Sequence, residues 1–258
     1  MIKYIFILAS FIFILPSCSE TNSGIESGSN SGIASSYSRI VSVGSFLYEV
    51  TESKLITYNA TDPMNIEENN VQELGIDIET IFTTDGLLFI GSSSNLFIFS
   101  IDQSGIPIEQ SITSYSEFDR DFVGCDPVVA SGNFAYVTLT DFNEFGTRCF
   151  RGTTINELRI YDISNITQPV LISQIDLNTP KGLSLDNDIL FVCDGTQGVA
   201  VIDVSERLYP TIIDRLEEIN AIDAVASNGL LVVMGNERIK QYDYSNITSI
   251  SLISDLMK

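Results

Sequence analysis

The chain has 258 residues, 44% of them hydrophobic, and 13 basic against 34 acidic side chains give a formal net charge of −21. Acidity on this scale repels nucleic-acid phosphates and anionic headgroups, so no nucleic-acid partner is expected and a membrane is met only through an N-terminal lipid. The absence of histidine excludes Ser-His-Asp and Cys-His catalysis, histidine general bases and histidine-ligated zinc together.

Lys3 precedes an apolar run, Tyr4 to Leu15, that is too short to span a bilayer comfortably and reads as an export signal. It ends in Leu15-Pro16-Ser17-Cys18, which resembles a bacterial lipobox. Residues 1–17 are therefore read as a lipoprotein signal peptide and Cys18 as the lipidated first residue of the mature chain. Pro16 departs from the usual pattern, and ordinary secretion or a retained anchor is the alternative. Residues 18–37 carry the lipidated Cys and then a Ser- and Gly-rich tether with nothing to bury, reaching roughly 25 Å as a random coil. The expected location is that of an exported, membrane-anchored lipoprotein, at the outer membrane or cell surface.

From residue 38 one phrase recurs. Its clearest copies are Leu158-Arg159-Ile160-Tyr161-Asp162, Val199-Ala200-Val201-Ile202-Asp203 and Ile239-Lys240-Gln241-Tyr242-Asp243; weaker ones end at Asn59 and Ser100. Upstream of each lies a pair of apolar runs joined by Gly, Asn or Asp, as in Thr84-Asp85-Gly86, Asp186-Asn187-Asp188 and Ser227-Asn228-Gly229. These residues accept positive φ, so the pairs read as hairpins. With an outer strand such as Val170 to Ile175, each unit of about 40 residues contains four strands, and repetition of such a unit is the pattern of a β-propeller. The expected fold is all-β, a propeller of five four-stranded blades over about 38–74, 75–115, 120–177, 178–219 and 220–258. Each unit begins on its inner strand and ends on its outer one, so the ring is expected to close without exchanging a strand.

The phrase Leu158 to Asp162, its copy Val199 to Asp203 and the preceding Gly132-Asn133-Phe134-Ala135-Tyr136-Val137 resemble the LVIVD-repeat family of bacterial exported propeller proteins. The resemblance implies a β-propeller, often a surface lipoprotein, and brings no catalytic motif with it. The first two units depart from it by lacking the Asp.

Four cysteines occur. Cys193 reads as a small buried thiol, whereas Cys125 and Cys149, in an oxidising compartment, are the expected disulfide pair, two free thiols being the alternative. The third unit exceeds its neighbours by about 21 residues, within Thr138 to Glu157. Its Phe142, Phe145, Arg148, Phe150 and Arg151 form a candidate binding loop, since long loops on rigid scaffolds carry recognition; the alternative is that they pack under the loop. A second candidate is the channel mouth, where inner strands start: Arg39, Glu79, Asp126, Lys181 and Asp223. The repeated Asp162, Asp203 and Asp243 read as turn acceptors. Calcium at Asp141 to Glu144 would lack EF-hand spacing, so no cofactor or metal is expected. The expectation is a monomeric, non-enzymatic binding module for a protein or glycan at the cell envelope. The alternatives are a glycoside-active enzyme using Glu79, Asp126 and Asp223, or a structural subunit of an envelope assembly.

Overall fold

The computed structural model describes residues 37–75, 77–115, 127–140 and 155–258. Among these residues twenty strands form five four-stranded antiparallel sheets, each built from consecutive strands. Blade 1 contains β1 (Ile40–Val43), β2 (Phe46–Val50), β3 (Lys54–Asn59) and β4 (Glu67–Glu73). Blade 2 contains β5 (Ile78–Thr84), β6 (Leu87–Ser92), β7 (Asn95–Ile101) and β8 (Pro107–Ser114). In blade 3 these places are taken by β9 (Val128–Ser131), β10 (Phe134–Leu139), β11 (Glu157–Asp162) and β12 (Val170–Asp176). Blade 4 follows with β13 (Leu183–Asp186), β14 (Ile189–Cys193), β15 (Val199–Asp203) and β16 (Thr211–Leu216), and blade 5 with β17 (Ala221–Ser227), β18 (Leu230–Gly235), β19 (Arg238–Asp243) and β20 (Ser251–Met257). The fold is the expected five-bladed β-propeller architecture, and no strand is exchanged between blades.

The local chemistry explains these elements. The β1–β2 type of hairpin turns on residues at positive φ: Gly44, Asp85-Gly86, Gly132, Asn187 and Asn228-Gly229. The Asp that ends the third strand of blades 3, 4 and 5 then starts a turn. Asp162 Oδ1 accepts the Ser164 N–H at 2.8 Å, Asp203 Oδ1 that of Ser205 at 2.8 Å, and Asp243 Oδ1 that of Ser245 at 2.9 Å. Asn59 does the same for Thr61 at 2.9 Å in blade 1. Pairing of third and fourth strands shifts register at one equivalent place in all five blades, so Asn69, Gln110, Ile172, Ile213 and Ile253 are each an extra residue on the outer strand.

These turn hydrogen bonds hold the Asp162, Asp203 and Asp243 carboxyls below the usual carboxylate range, the bond to Ser164, Ser205 or Ser245 being the main cause. A depressed folded-state pKa gives stability that is present above the unfolded value and lost as pH falls through the folded one. The urea midpoint is therefore expected to fall between about pH 5 and pH 3, and to fall less in an Asp162→Asn, Asp203→Asn, Asp243→Asn triple variant, which keeps the acceptors and removes the titration. An identical pH profile in wild type and variant would sink this assignment.

Four buried clusters lie between successive blades. Tyr48, Leu55, Ile81 and Ile90 join blades 1 and 2; Phe89, Ile98, Val128 and Val137 join 2 and 3; Tyr136, Ile160, Leu183 and Val192 join 3 and 4; Phe191, Val201, Leu231 and Tyr242 join 4 and 5. Polar seams accompany them: Gln72 Nε2 donates to the Pro107 carbonyl at 2.7 Å, Ser111 Oγ to Ile166 at 2.7 Å, Ser173 Oγ to Arg207 at 2.7 Å, and the Ala226 N–H to Ser184 Oγ at 2.9 Å.

Among the described residues no such cluster joins blade 5 to blade 1, and the rows facing that seam are uncovered. On second strands, the residues facing the following blade are Tyr48 and Val50, Phe89 and Gly91, Tyr136 and Thr138, and Phe191 and Cys193, all buried. Their counterparts in blade 5 are the partly exposed Val232 and the exposed Met234. On third strands the buried pairs Leu55 and Thr57, Leu96 and Ile98, Leu158 and Ile160, and Val199 and Val201 give way to the partly exposed Ile239 and Gln241. In the opposite direction, Leu47 and Glu49 of blade 1 are partly exposed where Leu88 and Ile90, Ala135 and Val137, Leu190 and Val192, and Leu231 and Val233 are fully buried. Among the described residues, apolar clusters fill the four seams between successive blades, while Glu49 and Gln241 stand in the rows facing from blades 1 and 5.

The disulfide expectation is corrected. No disulfide is present among the described residues; Cys193 is a free, buried thiol on β14, and Cys125 and Cys149 lie outside the described residues. An oxidising compartment and a suitable spacing permit a bond, but only tertiary geometry brings two sulfurs to about 2 Å.

Candidate functional site

Because strands alternate in direction, one end of every blade collects the start of its first strand, the turn from second to third strand and the link from its fourth strand to the next blade. The candidate residues that are described lie at this end. Arg39 is exposed, Glu79 half-buried, and Lys181 and Asp223 buried at 7% and 6% exposure. Asp126 and the binding-loop residues Phe142, Phe145, Arg148, Phe150 and Arg151 lie outside the described residues, as does Cys18. Thr140 and Ile155, the nearest described residues on either side, lie between β10 and β11.

The structure brings Lys181 and Asp223 together with Cys193. The Lys181 N–H donates to the Cys193 carbonyl at 2.7 Å and the Cys193 N–H to Gly182 at 2.8 Å, while the Gly182 N–H donates to the Ile222 carbonyl at 2.9 Å across the seam. Thr138 Oγ1 donates to the Lys181 carbonyl at 2.6 Å, so the end of the second strand of blade 3 and the first-strand starts of blades 4 and 5 are tied together. Burial, and after it the Asp223 charge, pushes the Cys193 thiol well above its ordinary range, against an opposing pull from Lys181. The thiol is thus kept protonated and unreactive. Asp223 packs so closely on Gly182 that a Cβ placed there would fall 2.1 Å from its Oδ1. This carboxylate is built into a backbone joint.

Two features of this end are not apparent in the sequence pattern. Asp194, fully buried just beyond β14, accepts the N–H groups of Asn178 and Thr179 through Oδ1, each at 2.8 Å. Its Oδ2 pairs with Arg215 Nη1 at 2.9 Å. One carboxylate therefore ties the link entering blade 4 to the outer strand of that blade. Close by is a pocket of about 470 Å³ lined by Thr196, Glu218, Ile219, Asn220, Gly235, Asn236, Glu237 and Arg238. Glu218 holds a left-handed backbone, φ 62°. Arg238 pairs with Asp255 at 2.5 Å, and Lys258 Nζ donates to the Gly235 carbonyl at 2.8 Å. The lining offers two carboxylates, two amides, a hydroxyl and a guanidinium, a hydrogen-bonding set with one aliphatic side chain. Among the described residues no group of three or more acidic or cysteine side chains is placed to hold a metal ion.

The chain is similar in fold to several solved structures. A protein from Lactobacillus plantarum matches with 13% identity and a TM-score of 0.64, over 82% of this chain and 67% of that one. A functionally unknown protein from Desulfotomaculum acetoxidans matches at 10% and 0.64, over 84% and 69%. The periplasmic gluconolactonase of Pseudomonas aeruginosa matches at 10% and 0.64, over 83% and 68%. At these identities the likeness concerns the fold alone, and the chain spans about two thirds of each relative's length. No curated protein matches the sequence. The LVIVD repeat model matches residues 125–144, 153–176 and 181–217, within and around blades 3 and 4, and such repeats are in general found in exported bacterial cell-envelope proteins. The chain thus carries LVIVD repeats in two of five four-stranded antiparallel blades, a β-propeller-like arrangement.

Proposed function

We propose that the protein is a non-enzymatic binding module of the cell envelope, held to a membrane by lipid on Cys18 and offering the end of blades 4 and 5 to a glycan. The pocket between Thr196, Asn220 and Asn236 carries this reading. Its carboxylates, amides and hydroxyl match the hydroxyl groups of a sugar, and orientation in such sites comes from a few placed polar groups. Asp223, one of the acids on which a glycoside-active reading would rely, is packed against the backbone of Gly182. The fold likeness to a gluconolactonase brings no residue of that enzyme to this chain.

The test is a glycan array probed with the full-length protein, followed by calorimetry on the best ligand. Replacing Asn220 and Asn236, both exposed, by alanine is expected to weaken binding at least tenfold while the melting temperature stays within a few degrees. Absence of any glycan signal, or unchanged affinity in the double variant, overturns the proposal.

A further inference from the structure

Two links between blades are built alike and finished differently. Between β12 and β13 the chain bends at Asn178 and Thr179, and both N–H groups end on Asp194 Oδ1. Between β16 and β17 it bends at Glu218 and Ile219, the same place one blade further on. Cys193 closes the β14–β15 ladder and Asp194 follows it; Met234 closes the β18–β19 ladder and Gly235 follows it. Gly235 therefore stands where Asp194 stands and has no carboxylate to offer. Ile219 Cγ1 and the Asn220 carbonyl oxygen lie over it instead, each 2.8 Å from the position of a Cβ. Among the described residues the N–H groups of Glu218, Ile219 and Asn220 have no hydrogen-bond partner.

Those residues line the pocket of about 470 Å³, a volume within the range of small-ligand sites. Its chemistry selects among the groups a sugar can carry. A ligand carboxylate would meet Glu218 and Glu237 while Arg238 is already paired with Asp255 at 2.5 Å, on a chain of net charge −21, and like charges repel. A ligand ammonium has donors only, so it would leave the link N–H groups facing a cation. A hydroxyl accepts from one N–H and puts no carbon on Ile219, the one aliphatic side chain of the lining. An acetamido group meets every part of it. Its carbonyl accepts from the link N–H groups, its N–H donates to a glutamate, and its methyl has Ile219 to cover. It is neutral, and its carbonyl is the planar acceptor that Asp194 supplies to the preceding link.

We infer that the pocket is selective for N-acetylated amino sugars, whose acetamido carbonyl completes the link from Glu218 to Asn220. The inference rests on the glycan reading of this pocket and names the class of sugar. Selectivity comes from backbone donors that a sugar without the acetamido group leaves unanswered, which costs more than the contact itself contributes. Because the group is neutral, binding is nearly independent of ionic strength, whereas an ammonium sugar held by the glutamates would bind more weakly as salt rises.

A glycan array printed in matched sets tests this on the full-length protein: the same backbone with N-acetylhexosamine, free hexosamine or hexose units, chitotetraose, its de-N-acetylated form and cellotetraose among them. Calorimetry then follows on the strongest set. The expected result is binding of the acetylated member at least about tenfold tighter than of the other two, with a dissociation constant that changes by less than about twofold between about 50 and about 300 mM salt. Gly235→Asp returns to this link the carboxylate that Asp194 gives the one before, and is expected to abolish the preference. Its Cβ must displace Ile219, so the wild-type comparison, which needs no variant to fold, decides if Gly235→Asp does not. Equal binding within a set, tightest binding of the free hexosamine, or an unchanged preference in a folded Gly235→Asp overturns the inference and leaves the glycan reading standing. No glycan signal at all overturns both.

Discussion

Asp194→Ala is expected to lower the unfolding free energy by about 3 kcal/mol, toward the lower end of the range for breaking a buried charge pair. The wild-type carboxylate is fully buried and makes three hydrogen bonds. Alanine leaves the N–H groups of Asn178 and Thr179 without their acceptor, each at about 1–3 kcal/mol. The Arg215 side chain is 30% exposed and rehydrates, which is why the upper end of the range is not reached. Asp194→Asn keeps one oxygen for the two N–H groups and loses only the charge pair, so about 1–2 kcal/mol is expected. Urea midpoints at constant m-value measure both changes. Equal losses in the two variants would mean that the ion pair, and not the backbone cap, is the important element.

Gly198→Ala is expected to cost at least about 3 kcal/mol. Gly198 has φ 78°, and a Cβ there would fall 2.0 Å from the Leu216 carbonyl oxygen. That oxygen belongs to backbone at the end of β16, so it has no rotamer by which to yield. Gly44, at φ 58° with nothing within 4 Å of its Cβ position, isolates the conformational part of the effect. Gly44→Ala is expected to cost about 1–2 kcal/mol. The difference between the two variants reports the contact between the second-to-third strand turn of blade 4 and the end of its outer strand. Thermal and urea unfolding give it directly, and two equal losses would show that only the backbone angle matters.

Much of this architecture was legible in the sequence because its signals are local. Asp85-Gly86 and Asn228-Gly229 mark hairpins by their tolerance of positive φ, and they turn as that chemistry requires. Asp162, Asp203 and Asp243 announce a turn because a short carboxylate two residues before an N–H has an obvious partner. Other features were silent because they depend on distance in space. Cys193-Asp194-Gly195-Thr196 has the composition of a solvent turn, yet Asp194 is buried by a link and an outer strand that lie 15 or more residues away on either side. Val232 and Met234 repeat the pattern of Phe191 and Cys193, and periodicity reports that a face is apolar without reporting what covers it. The extra outer-strand residue is Ile in blades 3, 4 and 5 but Asn69 and Gln110 in blades 1 and 2, so no single residue type marks it along the chain. The pocket is assembled from three connections, of which only Glu218 to Asn220 and Gly235 to Arg238 supply more than one residue.

The displaced outer-strand residue has a consequence for life at high local concentration. The rim of each blade is a free edge, and β20 in particular sets Leu252, Ile253, Leu256 and Met257 on an exposed strand, a composition that invites edge-to-edge stacking into fibres. At every rim the ladder is broken near the middle by one unpaired residue, and the strand bends there. An incoming straight strand finds only a few residues in register on either side of that break. The same kink that shapes the blade thereby denies a template to amyloid-like growth at all five rims.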